Sequence, residues 1–293
     1  MGDVQAVWEI PAILGEGPLW SADEDAVYWV DIFSSKVHRY GHSDGRKTTW
    51  TFAAPITSLA EVAGGGFIGT VHDGYAWVNF DIISTEPFAL PEADMPGNRF
   101  NDGKIDGMGR YWAGTMDIEQ VAESGSLYCL DPDLSWRRCD SGYIICNGPT
   151  FSLDNSIIYH TDSIKRAIYA LDMDAAGELS DKRVFTQFTQ DDEGVPDGMT
   201  IDSEDCVWVA HFGGARITRY SPTGEILTVL PLPVPNITSC VFAGADLDTL
   251  YITTASTGMD EAEKANYPLA GSLFRCAPGV KGAATRKFGK LPD

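Results

Sequence analysis

A repeat does most to limit how this chain can fold. An aromatic residue inside a short β-like run recurs six times, in VYWVD, GFIGT, YWAGT, IYHTD, VWVAH and LYITT. The aromatics are Tyr28, Phe67, Trp112, Tyr159, Trp208 and Tyr251, so successive copies lie 39, 45, 47, 49 and 43 residues apart, a mean of 44.6. A second alternating run follows each copy: KVHRY, YAWVNF, GSLYCL, RAIYAL, ARITRY and GSLFRC. Alternation rich in β-branched and aromatic residues, bounded by DG, GG, DN and TG turns, marks strands joined by hairpins. Helical periodicity is confined to EAEKANY near Glu261, at most one or two turns. A period of about 40–50 residues with four strands is that of a propeller blade. Six copies predict an all-β, six-bladed β-propeller of four-stranded antiparallel blades, spanning residues 1–293 as a single domain. A β-sandwich would need no period this regular.

Composition removes several function classes. The 42 acidic residues against 21 basic ones leave a net charge of −21, which repels phosphate backbones and anionic membrane surfaces. Neither nucleic acid nor a membrane is an expected partner. The opening MGDVQAVWEIPAILGEG has no basic segment followed by a long apolar one, and no apolar run approaches the ~20 residues of a membrane span, so a cytoplasmic protein is expected. The six cysteines form no CxxC pair and read as reduced core thiols. Oligomeric state is bounded only as monomer or small homo-oligomer.

The residues upstream of the aligned aromatics carry the chemistry. Counting back 10 to 12 positions gives Glu16-Gly17, Asp102-Gly103, Asn147-Gly148 and Asp197-Gly198. A lone Asx-Gly before a strand is ordinary turn chemistry, but recurrence in four copies points to a shared site. Equivalent ends of inner propeller strands converge on the axis, so Glu16, Asn147 and Asp197, with Asn101 and Asp102, would form a ring of oxygens. Like charges facing one another need a compensating cation. One divalent ion is the simplest: calcium, magnesium or manganese for an all-oxygen set, with zinc or ferrous iron also compatible. In NRFNDGKID, Arg99 and Asn101 alternate and should face the same side. An arginine beside a metal is no ligand, and it is read as a group that grips substrate oxygens, with a surface ion pair as the competing assignment. Lys104 and Asp106 read as blade-edge polar residues, and Glu119 as a loop residue over the channel or in solvent. Phosphate-loop, EF-hand, GxSxG and HExxH patterns fail, and the five histidines show no ligand spacing.

LGEGPLW (14–20), NRFNDGKID (98–106), GRYWAGTM (109–116), NGPTFSLD (147–154), PDGMTID (196–202) and the C-terminal TTAS…YPLAGSLF together resemble the SMP-30/gluconolactonase/luciferin-regenerating family, most of all its bacterial sugar lactonases. The resemblance implies a six-bladed propeller with an axial divalent metal, ligands at Glu16, Asn147 and Asp197, and substrate contacts at Arg99, Asn101 and Glu119. It implies metal-dependent hydrolysis of a sugar lactone to the aldonic acid, with Asp197 also serving as general base. The alternatives are another metal-dependent propeller esterase or phosphotriesterase, which the Arg99–Asn101 pair disfavours, and a non-catalytic calcium-binding regulator. An interaction propeller would carry GH…WD repeats, which are absent.

Overall fold

A computed structural model describes residues 2–289. Its strands form six four-stranded antiparallel sheets. The inner strands are Gly15–Ser21, Ser58–Glu61, Asn98–Ile105, Cys146–Phe151, Val195–Ile201 and Ile237–Ala243, one for each of blades 1 to 6. Each packs against the next, and the sixth packs back against the first, closing a six-bladed β-propeller around an axis. The only α-helix among the described residues is Glu261–Asn266, the short turn expected there. None is long and apolar enough to cross a membrane.

The repeat acquires a physical meaning once the core is located. Six clusters of buried side chains fill the six wedges between neighbouring blades, so the apolar core is a ring of wedges around the axis. All six aligned aromatics lie on the second strand of their blade. Five of them enter the wedge toward the following blade; Trp112 and Trp208, for example, are essentially unexposed. An aromatic of this size removes ~150–250 Å² from water, which is why it recurs. Copy two departs from the pattern. Phe67 packs back on the wedge shared with blade 1, while its neighbour Ile68 enters the wedge toward blade 3. Side chains alternate along a strand, so a one-residue offset reverses the face; the aromatic alignment is out of step there.

Blade 6 is completed from the other end of the chain. Its outermost strand is Gln5–Trp8, paired with Leu273–Cys276, so the ring is closed by chain ends more than 260 residues apart. After that strand the chain crosses the face of the ring farthest from the inner strands' first residues. The Ala283 amide donates to Ile201 O, and the Phe288 amide donates to Glu61 O. The cysteines are free thiols, five buried and Cys139 half-buried.

Candidate functional site

The inner strands are irregular where the Asx-Gly pairs fall. In blade 1 the ladder runs from Glu16↔Val30 to Leu19↔Tyr28, so Gly17 and Pro18 face a single partner residue. The same extra residue occurs in blade 3 between Phe100 and Gly103, in blade 4 between Asn147 and Thr150, and in blade 5 between Pro196 and Met199. These are β-bulges, which bend a strand and re-aim its side chains. They refine the expectation of one shared register. Glu16 and Asn147 are the last paired residues before the bulge, Asn101 and Asp197 its first residue, and Asp102 its second. The glycines serve the bulge in two ways. Gly17 adopts φ +51°, open to glycine at little cost. A side chain on Gly198 would sit 2.2 Å from Ser239 Oγ and 2.9 Å from Thr238 O, so the inner strands of blades 5 and 6 could not approach as they do.

The bulges bring Glu16, Asn101, Asp102, Asn147 and Asp197 together, all buried. The carboxyl groups of Glu16 and Asp197 are close enough to perturb each other's ionisation, and Asp102 acts on both. Burial, reinforced by the charge of Asp102, pushes the Glu16 carboxyl up to about 8. Burial and the neighbouring Glu16 drive Asp197 well above the carboxylate range. Asp102 rises to about 6 through burial, held back by Lys104 and by the Gly103 and Gly148 amides. Burial lowers the Arg99 guanidinium to about 10 against the pull of Glu16 and Asp197.

Hydrogen bonds join three blades in one direction. Arg99 Nη1 donates to Phe100 O (2.9 Å) and to Asn101 Oδ1 (2.9 Å). Asn101 Nδ2 donates to Asn147 Oδ1 (2.6 Å) and to Cys146 O (3.2 Å). Asn147 Nδ2 donates to Ser163 Oγ (3.0 Å), which donates to Pro196 O (2.7 Å). Arg99 and Asn101 thus share a side, as their alternation implied. Glu119 stands apart, exposed in a turn of blade 3 and in none of these bonds.

Two residues of NRFNDGKID have other roles than blade-edge ones. Lys104 reaches across the axis from blade 3 and donates through Nζ to Met199 O on blade 5. Asp106 is unexposed. It accepts from the Met108 and Arg110 amides (2.8 and 3.0 Å), Arg110 Nε (2.6 Å) and Trp112 Nε1 (2.9 Å). Polarity alone does not place a residue at a blade edge, because a long side chain can span the interior and a fully bonded one can be buried. Ser163 was not found from sequence at all. It lies just past the second strand of blade 4, outside the repeating Asx-Gly position.

Among the described residues no group of three or more His, Cys, Asp and Glu side chains is placed to hold a metal, so an ion held at the axis by three side chains would include an amide oxygen. The donor set meets that requirement. Asp197 Oδ1 is buried with no hydrogen-bond partner, the Glu16 and Asp197 carboxyl groups crowd each other, and Asn147 Oδ1 has a second lone pair. A cation bound by Glu16, Asn147 and Asp197 would satisfy all three, and oxygen donors of this kind suit a hard divalent ion.

A six-bladed propeller with an acidic, amide-lined axial cluster beside a half-buried arginine defines a class. The chain belongs to the SMP-30/gluconolactonase/LRE-like family, whose model matches residues 14–256. It is 38% identical over 283 residues to a regucalcin from Xenopus laevis, covering 94% of each chain. It is 32% identical over 278 residues to a 6-deoxy-6-sulfogluconolactonase from Pseudomonas putida, covering 95% of this chain and 96% of that one. A solved luciferin-regenerating enzyme superposes with a TM-score of 0.92 at 31% identity, over 99% of this chain and 100% of that one.

Proposed function

We propose that this protein hydrolyses a sugar lactone, an aldonolactone such as a glucono- or pentono-lactone, to the open-chain aldonic acid, with one divalent ion held by Glu16, Asn147 and Asp197. The observation that carries the reading is the unpartnered, buried Asp197 Oδ1 beside Glu16 and facing Arg99. That arrangement is unfavourable unless a cation and a substrate complete it. The sulfogluconolactonase relative supports the substrate class. Calcium, magnesium, manganese, zinc and ferrous iron are all compatible with the donors.

When bound, such an ion supplies Lewis-acid polarisation of the ester carbonyl and lowers the pKa of water. The chain's own residues do the rest. Only Arg99 Nη1 is committed to protein oxygens, so Nε and Nη2 are the donors that hold sugar hydroxyls or the ring oxygen. Asn101, fixed between Arg99 and Asn147, keeps one free Oδ1 lone pair that can accept from a substrate hydroxyl. Asp197 accepts a proton from the attacking water. The water's oxygen bonds to the carbonyl carbon, the ring C–O bond breaks, and the proton returns to the departing alkoxide. Glu119, on its exposed turn, is assigned to the substrate at the rim.

A second reading, an ion-binding protein without catalysis, draws on a similar solved structure described as a calcium-binding protein, regucalcin. Acid release from a panel of aldonolactones, measured with and without chelator and corrected for spontaneous hydrolysis, separates the two. Chelator-sensitive release supports the lactonase; ion binding without release of acid from any lactone supports the second reading.

A further inference from the structure

We infer that Ser163 is a positioning residue that sets which atom of the Asn147 amide faces the axis. The inference rests on the reading of Glu16, Asn147 and Asp197 as ion ligands. Oxygen and nitrogen of an amide differ little in shape, so an asparagine serves as a hard-ion ligand only if its surroundings select one orientation. Here the selection comes from both ends of the hydrogen-bond chain. At one end Arg99 can only donate, so Asn101 Oδ1 must accept and Asn101 Nδ2 must donate to Asn147 Oδ1. At the other end the Pro196 carbonyl can only accept, so Ser163 directs its single proton there and offers Asn147 a lone pair.

A reversed Asn147 would turn its oxygen toward a serine whose proton is committed and its N–H groups toward both Asn101 Nδ2 and the ion. Ser163 is 3% exposed, so water cannot readily replace its hydroxyl. The Pro196 carbonyl also belongs to the peptide that leads into Asp197, and the same hydroxyl therefore ties the bulge bearing one ligand to the side chain of another. Such outer contacts tune metal affinity without touching the metal.

The test titrates Ca²⁺ and Mn²⁺ separately into metal-free protein by calorimetry, in a double-mutant cycle. Ser163→Ala should weaken ion binding by about 10–100-fold, the usual range for a lost outer contact. In an Asn147→Asp background the two side-chain oxygens are equivalent and orientation no longer matters, so Ser163→Ala should cost clearly less there, only what the tie to the Pro196 carbonyl contributes. Parent-like affinity in Ser163→Ala, or an equal loss in both backgrounds, overturns the inference. A measurement on the unaltered chain decides the matter if Ser163→Ala does not fold, or if the parent binds neither ion and the metal reading itself fails. By nitrogen-15 NMR without metal, the Asn147 side-chain amide should exchange slowly with solvent because it is held between Ser163 and Asn101; fast exchange contradicts the assignment.

Discussion

Two sets of buried carboxylates lie in this propeller, and they are buried almost equally. Asp106 and Asp202 have no exposure, while Glu16 and Asp197 have 6% and 5%. Asp202 repeats the Asp106 arrangement one blade pair further on, accepting from the Glu204 and Cys206 amides, Trp208 Nε1 (2.8 Å) and Arg219 Nε (2.7 Å). These two aspartates are surrounded by donors. Glu16 and Asp197 face each other instead, and one of their oxygens has no partner. Burial of a carboxylate therefore says little about function by itself; the balance between the acceptor and the donors around it separates a structural brace from a candidate ion site.

Neutralising Asp197 should have the largest effect. Asp197→Asn keeps an oxygen for a hard ion but cannot take a proton near neutral pH. Activity toward a responsive lactone at saturating metal should drop by about 10²–10⁴-fold. Recovery of most activity at high metal would leave Asp197 a ligand only.

Stability should separate the two sets by sign. Asp106→Ala strands the buried Arg110 guanidinium, whose side chain is 4% exposed, and should cost about 3–5 kcal/mol in urea unfolding. Glu16→Gln relieves crowding among acids, so metal-free protein should gain on the order of 1 kcal/mol. Equal losses in both variants would erase the distinction.

How much of this contrast could be read from the amino acids alone varies by region. The aromatic in each second strand revealed the blades, because filling a wedge demands the same large residue each time. Its one failure, Phe67 for Ile68, comes from a single-residue offset that composition does not show. The closing strand Gln5–Trp8 was not foreseen, since its partner lies at the far end of the chain and pairing across that distance leaves no local pattern. In the site, Glu16, Asn101, Asp102, Asn147 and Asp197 were legible as a group through the recurring Asx-Gly. Their different bulge positions were not, because a bulge is defined by the partner strand. Lys104 and Asp106 were misjudged, since what buries a polar residue is its bonding partners. Ser163 belongs to no repeat, so only the chain of hydrogen bonds reveals it.

A smaller effect is expected at Arg99. Arg99→Ala removes the donors assigned to substrate and should lower kcat/KM by about 1–3 kcal/mol, with a lesser loss of metal affinity because Ser163 still holds Asn147 from the other side. A variant that loses metal but handles substrate normally once saturated would reverse that assignment.

A pH-dependent effect concerns a buried base outside the hydrogen-bond chain. Burial lowers His160 to about 4, and its Nε2 lies 3.1 Å from Tyr143 Oη. The unfolded chain takes up this proton near pH 6.5 and the folded one near 4. The stability associated with neutral His160 is thus complete above pH 6.5 and is lost as pH falls toward 4. Over that window the parent should lose up to about 1.4 kcal/mol per pH unit relative to His160→Gln. Parallel pH profiles for the two proteins would show that this imidazole titrates normally.

On the proposed function, the carboxylates of Glu16 and Asp197 belong to one divalent-ion site on which lactone hydrolysis depends. The direct measurement follows ion stoichiometry by equilibrium binding alongside acid release in the same chelator-stripped preparation as metal is restored. One ion per chain, activity that rises in proportion to occupancy, and loss of both in an Asp197→Ala variant that remains folded are expected. Full lactonase activity in metal-free protein, or undiminished ion binding by Asp197→Ala, would contradict the proposed function.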